Sequence, residues 1–295
     1  MLYVLYVMGF SLAKVLPIGA CYVIADLGAR LYYIFAGKDR AALKANLKVV
    51  LGDEVDDATL NRHVWEVFRN FAKYLADFFK FPRLDKDYIT RLVKCDKLNF
   101  LDECISEGKG AVIVSAHLGN WELGGAVVSA LKYPLQAIVL EHNNEQITEF
   151  FERQRAINEM STIKIGTHPS MEQMKKCLNV LKQNELLVVV GDKDYTNNGL
   201  YVDFFEKKAL MPKGPAIFSL RTGAPIIVIV LTREKNDKFT LHIERPIKYK
   251  PTGEFEKDVR TLMGKYIEQM EKYIRDYPGQ WYAFRKIWNH EQITL

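Results

Sequence analysis

Two apolar runs constrain this chain most. Residues 186–190 read Leu-Leu-Val-Val-Val and residues 226–230 read Ile-Ile-Val-Ile-Val. Neither run alternates with polar residues, and both are rich in β-branched side chains. Such a strand is buried on both faces, so it needs a sheet covered by helices on each side. From Gly110 onward, apolar runs alternate with helical patterns. We expect strands at 111–116, 135–140, 162–166, 186–191, 225–231 and 239–245. We expect helices at 122–132, 144–160, 169–184, 213–222 and 255–275. This alternation predicts an α/β fold. A charged loop joins the last two strands, which read as a hairpin, so the central sheet should be mixed, not purely parallel.

At 295 residues the chain has room for one or two domains and a large core. No repeat, low-complexity tract or linker divides it, which favours one catalytic domain over residues 37–295. Residues 1–36 differ from the rest. Met1 to Ala13 is uncharged, Lys14 interrupts, and Val15 to Ala25 is uncharged again. A bilayer span needs about 20 apolar residues. Lys14 at its centre would cost about 2.5–3.5 kcal/mol, and Pro17 would kink it. The segment is expected to attach the chain to a membrane as a helix or helical hairpin; a buried core helix is the alternative. Asp56 or Asp57 is expected to cap a following helix with Leu60, Val64, Val67, Phe68, Phe71, Leu75, Phe78 and Phe79 on one apolar stripe. Such a stripe is ordinarily core, and Phe78-Phe79-Lys80-Phe81 at its end is a candidate lining for an acyl groove.

A net charge of +5 suits an anionic membrane surface or a phosphorylated substrate. The basic residues are spread along the chain and form no nucleic-acid module. Cys21, Cys95, Cys104 and Cys177 are scattered without a C-x-x-C, so they predict reduced thiols and neither a disulfide framework nor a metal site.

The chemistry is concentrated in Val112-Ile-Val-Ser-Ala-His117-Leu-Gly-Asn-Trp-Glu122-Leu-Gly-Gly125. His117 ends an apolar strand, where open α/β sheets place their sites. Glu122 stands five residues on. Five helical residues turn about 500°, which leaves the two side chains roughly 140° apart. Five strand residues put them on opposite faces. They meet only if the chain bends between them, and Gly119-Asn120 supplies a bend. A carboxylate beside an imidazole would fix its tautomer and support it as a general base. A structural, hydrogen-bonded histidine is the plainer reading.

His-Leu-Gly-Asn-Trp-Glu resembles the H-x4-[DE] signature of the lysophospholipid acyltransferase superfamily. Its Gly-Asn-Trp filling is similar to the bacterial lipid A biosynthesis (late) acyltransferases and their close relatives, the phosphatidylinositol mannoside acyltransferases. Gly191-Asp-Lys-Asp194-Tyr195 and Gly199-Leu-Tyr-Val-Asp-Phe-Phe205 resemble the D-x-D and V-x-V-x-F-F segments of that family. Pro212-Lys-Gly-Pro-Ala216, Leu220-Arg-Thr-Gly-Ala-Pro225 and Tyr277-Pro-Gly-Gln-Trp281 resemble three further blocks, in the same order. Tyr277 stands where a histidine is common, and Lys193 and Lys213 stand at variable positions. The likeness covers roughly Gly110 to Trp288.

The resemblance implies an O-acyltransferase of the inner membrane, anchored by its N-terminus, with its site on the cytoplasmic side. Its donor would be an acyl thioester on acyl carrier protein or coenzyme A, its acceptor a hydroxyl of a glycolipid such as a lipid A precursor. It needs no cofactor and no metal. His117 would be the base and Glu122 its orienting partner. Arg155, Asn120, Asp192 and Asp194 would contact substrate. By position Arg155 resembles a family arginine near the acceptor headgroup, where a guanidinium grips phosphate bidentately; a solvated helix face is the default for it and for Arg153. Asp192 and Asp194 alternatively cap their own loop, or pair with His117 or Arg155. Read alone, Asp192-Lys-Asp194 also fits a metal-dependent phosphatase or glycosyltransferase. That rival leaves His117 and Glu122 unexplained. A non-catalytic membrane-binding protein, the third reading, needs no such pair.

Overall fold

A computed structural model describes residues 2–80, 86–140 and 145–288. Its helices are α1 (Leu2–Val15), α2 (Ile18–Phe35), α3 (Gly37–Leu51), α4 (Asp57–Lys80), α5 (Lys86–Leu92), α6 (Asn99–Ser106), α7 (Trp121–Ala130), α8 (Glu145–Ile157), α9 (Met171–Lys182), α10 (Gly214–Thr222) and α11 (Phe255–Asp276). Its strands are β1 (Val93–Cys95), β2 (Ala111–Ser115), β3 (Leu135–Leu140), β4 (Ser161–Ile165), β5 (Leu186–Val190), β6 (Leu200–Phe204), β7 (Lys207–Met211), β8 (Ile226–Arg233) and β9 (Phe239–Ile243).

Seven strands form one sheet in the order β1-β9-β8-β2-β5-β3-β4. All neighbours are parallel except β8 and β9, the expected hairpin, so the sheet is mixed and flanked by helices. The two apolar runs are β5 and β8, beside the central β2, and all eight residues of β8 are buried. Alternate side chains of β2 enter different cores. Val112 and Val114 pack with α3, α9, α10 and α11. Ala111 and Ile113 pack with α6, α7 and α8. Helix α4 serves both: Leu60 to Phe68 join the first core, and Phe78 and Phe79 the second. Asp56 is its cap, accepting from Thr59 N at 2.8 Å.

Six elements lie outside the expected set: α3, α5, α6, β1, β6 and β7. Strand β1 is three residues long, too short to show a period. Helix α6 follows it and gives Leu101 and Cys104 to the second core. The antiparallel β6–β7 hairpin forms a separate small sheet. Its turn residues Phe205 and Glu206 both have positive φ, at 50° and 61°, without a glycine to announce it.

Residues 1–36 were expected to be helical, and the described part forms α1 and α2, broken at Pro17. Among the described residues, Ile18–Phe35 is the one helix long and apolar enough to cross a bilayer. One side of it packs on α4. The other carries Val23, Leu27, Leu31, Ile34 and Phe35 to the surface, with Phe35 79% exposed.

Candidate active site

Strands β2 and β5 are parallel neighbours in a register that pairs Ser115 with Val190. Two residues beyond each partner come His117 and Asp192. The pairing persists past the strand ends, since Gly191 N donates to Ser115 O at 2.7 Å. His117 Nδ1 meets Asp192 Oδ1 at 2.7 Å. Trp281 Nε1 donates to the other oxygen, Oδ2, at 2.9 Å. Trp281 is fully buried and its segment is tied to the strand end: Tyr282 N donates to His117 O at 2.8 Å, and Gly119 N to Gln280 O at 2.9 Å. Burial alone would push the Asp192 carboxyl up. The adjacent imidazole and the indole N–H outweigh it and hold the group below the usual carboxylate range.

After His117 the chain reverses at Gly119, φ 62°. A Cβ there would run into the carbonyl oxygen of Leu231, so only glycine fits. Asn120 then caps α7, its side-chain oxygen accepting from Leu123 N at 3.0 Å. Its amide nitrogen donates to Asp77 Oδ2 at 2.9 Å. Both ends of this buried side chain are committed, which corrects the expectation that it contacts substrate. Asp77 also accepts from Tyr22 at 2.6 Å and pairs with Arg233. Burial raises the Asp77 carboxyl despite Arg233. This buried cluster joins α2, α4 and β8 beneath the turn. Neither Asp77 nor Arg233 was anticipated. The available signal was a charge set inside an apolar stretch, which survives burial only with a partner.

Glu122 does not orient His117, contrary to expectation. The turn carries it onto the first turn of α7, where Arg155 of α8 takes both its oxygens: Nη2 to Oε1 at 2.6 Å and Nε to Oε2 at 3.0 Å. Burial disfavours the Arg155 charge, but Glu122 more than restores it and the guanidinium is held above its ordinary value. The fork expected to grip phosphate is thus spent on Glu122. Arg153 is exposed and pairs with Glu149 at 3.2 Å. Asp194 turns into its own loop and accepts from Thr196 N, Thr196 Oγ1 and Gly199 N at 3.1, 2.7 and 3.0 Å. Asp192 and Asp194 therefore do not converge on a common point.

His117, Glu122 and Arg155 open onto a cavity of about 740 Å³. This lies within the range of about 300–1,000 Å³ typical of small-molecule sites. Its interior runs between the sheet and α7 and is apolar, with Ile113, Val128, Leu135, Ile229, Leu231 and Leu241 along it. Gly125 faces Met160, whose Cε lies 2.7 Å from where a Cβ would be. The outer end is polar and carries Lys193, Asp194, Tyr195 and Arg285. From α4 the lining residues are Phe71, Tyr74 and Leu75. Phe78 and Phe79 are core, Lys80 bonds the backbone at the end of α1, and Phe81 lies outside the described residues.

The sequence profile described as bacterial lipid A biosynthesis acyltransferase matches residues 1–290. The chain belongs to that family. Its relatives include the phosphatidylinositol mannoside acyltransferase of Mycolicibacterium smegmatis (strain ATCC 700084 / mc(2)155), 22% identical over 285 residues, which cover 96% of this chain and 90% of the relative. The protein of the same name from Mycobacterium tuberculosis (strain ATCC 25618 / H37Rv) is 25% identical over 227 residues, 75% of this chain and 70% of the relative. His117 stands where the apolar interior of the cavity meets its polar mouth.

Proposed function

We propose that this acyltransferase moves a fatty acyl group from a thioester, on acyl carrier protein or coenzyme A, to a hydroxyl of a glycolipid at a membrane surface. The observation that carries the reading is the pair of half-buried His117 with buried Asp192 at the neck of an apolar cavity. A carboxylate only accepts hydrogen bonds, so Asp192 fixes the proton on Nδ1 and leaves the Nε2 lone pair for substrate. The acceptor hydroxyl gives its proton to Nε2 as its oxygen attacks the thioester carbonyl. The tetrahedral intermediate then collapses, the C–S bond breaks, and the imidazolium returns the proton to the departing thiolate. No covalent bond to the enzyme is needed. Asp192, not Glu122, stabilises the imidazolium. Glu122 and Arg155 brace α7 against α8 on the cavity wall. The donor's acyl chain occupies the interior, where burial stabilises it by about 0.8 kcal/mol per CH₂. General-base action of this kind contributes about 10²–10⁴-fold. His117→Ala should lose that factor in transfer, followed by mass spectrometry of the lipid product. Near-normal transfer by the purified variant would sink the mechanism.

The exposed apolar faces of α1 and α2 support attachment to the bilayer. Deleting residues 1–36 is a poor test of this, because Tyr6 lines the cavity and Tyr22 bonds Asp77. Replacing Leu27, Leu31 and Phe35 with serine spares both. That variant should move toward the soluble fraction and lose action on bilayer substrate more than on short-chain substrate.

A further inference from the structure

Three deeper cations each have an anion. Arg155 holds Glu122, Arg233 holds Asp77, and Lys73 holds Asp237 at 2.6 Å. Lys193 and Arg285 at the mouth differ: among the described residues neither makes an ion pair. Both backbones are nevertheless fixed. Lys193 follows Asp192, and the Arg285 carbonyl accepts from the buried Asn46 side chain at 2.8 Å. The Lys193 ammonium lies 5.1 Å from the centre of the Tyr195 ring, and that ring lies 6.1 Å from the His117 imidazole. Asp194, the acid of the same rim, is turned away into its loop. Partial burial and the Arg285 guanidinium together disfavour the Lys193 charge. The Lys193 and Arg285 cations repel one another at the mouth, the neighbouring Asp192 offsets this only in part, and a bound anion relieves both.

We propose that Lys193 and Arg285 form a phosphate-binding site at the mouth of the cavity, one aromatic ring away from the base. Lysine supplies a point charge and arginine a planar fork, a combination suited to a tetrahedral anion with several acceptor oxygens. The assignment rests on reading the cavity as the transfer site, and it moves phosphate recognition from Arg155 to these two residues. The phosphate has two chemical sources: the headgroup of a phospholipid-type acceptor, or the phosphopantetheine arm common to both thioester carriers.

Binding to the full-length protein in detergent separates them. The probes are dihexanoyl phosphatidic acid and pantetheine 4′-phosphate, each set against its phosphate-free counterpart, dihexanoylglycerol or pantetheine. The wild type should bind one phosphorylated probe at least about tenfold more tightly than its counterpart, as expected for charge-assisted hydrogen bonds. The Lys193→Ala/Arg285→Ala double variant should lose that preference, and Lys193→Arg/Arg285→Lys should keep it. A preference in the phosphatidic acid arm assigns the site to the acceptor, one in the pantetheine arm to the donor. Absence of any phosphate preference in the wild type, or its survival in the alanine double variant, overturns the proposal. The measurement involves no turnover, so it fails independently of the His117 mechanism.

Discussion

Asp192 and Glu122 are both buried carboxylates, and each is bonded to a base at the same cavity. Asp192 reaches its partner across two adjacent strands, in register, and receives a second bond from Trp281. Glu122 reaches Arg155 across two helices and gives it both oxygens. In the proposed mechanism the first pair leaves a ring nitrogen for substrate, while the second satisfies itself. Proximity to His117 in sequence therefore says little about which acid serves it; adjacency in the sheet decides.

The strongest way to break this contrast is to neutralise each acid with little change of shape. Asp192→Asn places an amide against Nδ1 and allows the wrong tautomer, so kcat should fall by about 10²–10⁴-fold. Glu122→Gln should keep kcat within about tenfold, because it leaves the His117 tautomer untouched. Equal losses in the two variants would return Glu122 to the role the sequence suggested. Asp192→Asn also has a signature in acid. The native Asp192 carboxyl sits below its ordinary value, so its stabilising contribution is complete above about pH 4 and fades as pH falls through the depressed value. The wild type should therefore lose stability more steeply than Asp192→Asn below about pH 4 in urea titrations at stepped pH.

Truncation tests the other pair. Glu122→Ala leaves the Arg155 guanidinium, whose side chain is 11% exposed, with the longer Glu152 contact at 3.5 Å. Unfolding stability should drop by about 3–5 kcal/mol, towards the lower figure because the cavity admits water. Arg155→Ala in the same background should recover part of it. The smallest effect concerns the interior. Gly125→Leu fills space that Met160 must vacate, so donor preference should move to shorter acyl chains while His117 chemistry continues. A survey of thioester chain lengths reads this directly.

Much of this arrangement was legible in the sequence. Continuous apolar runs gave β5 and β8, and the charged loop between 231 and 239 gave the one antiparallel pairing of the central sheet. The position of His117 followed from the end of an apolar run and the glycine beside it. The partner of His117 was legible only as an alternative, Asp192 beside Glu122, because the choice depends on β2 and β5 being neighbours although β3, β4 and three helices separate them in the chain. The Asp192-Lys-Asp194 motif suggested a converging acid pair, yet the two carboxylates take separate partners, His117 and Trp281 for Asp192, Thr196 and Gly199 for Asp194. Lys193, Tyr195 and Arg285 were missed as lining residues because each is an ordinary surface type in a loop. The cluster around Asp77 was missed because its members lie 43 and more residues apart and no local pattern joins them.

The bond from Trp281 to Asp192 bears on the order in which the protein is made. Chains emerge N-terminus first and fold as they emerge, at about 5–20 residues per second. His117 leaves the ribosome early and Asp192 follows, but the indole that braces Asp192 comes 89 positions later. Throughout that interval a nascent chain already exposes the apolar surfaces of α1 and α2 while the proposed proton relay lacks one support. On the proposed reading, attachment thus has a head start on competence: the protein can settle where it would work before it is able to act on anything it meets on the way.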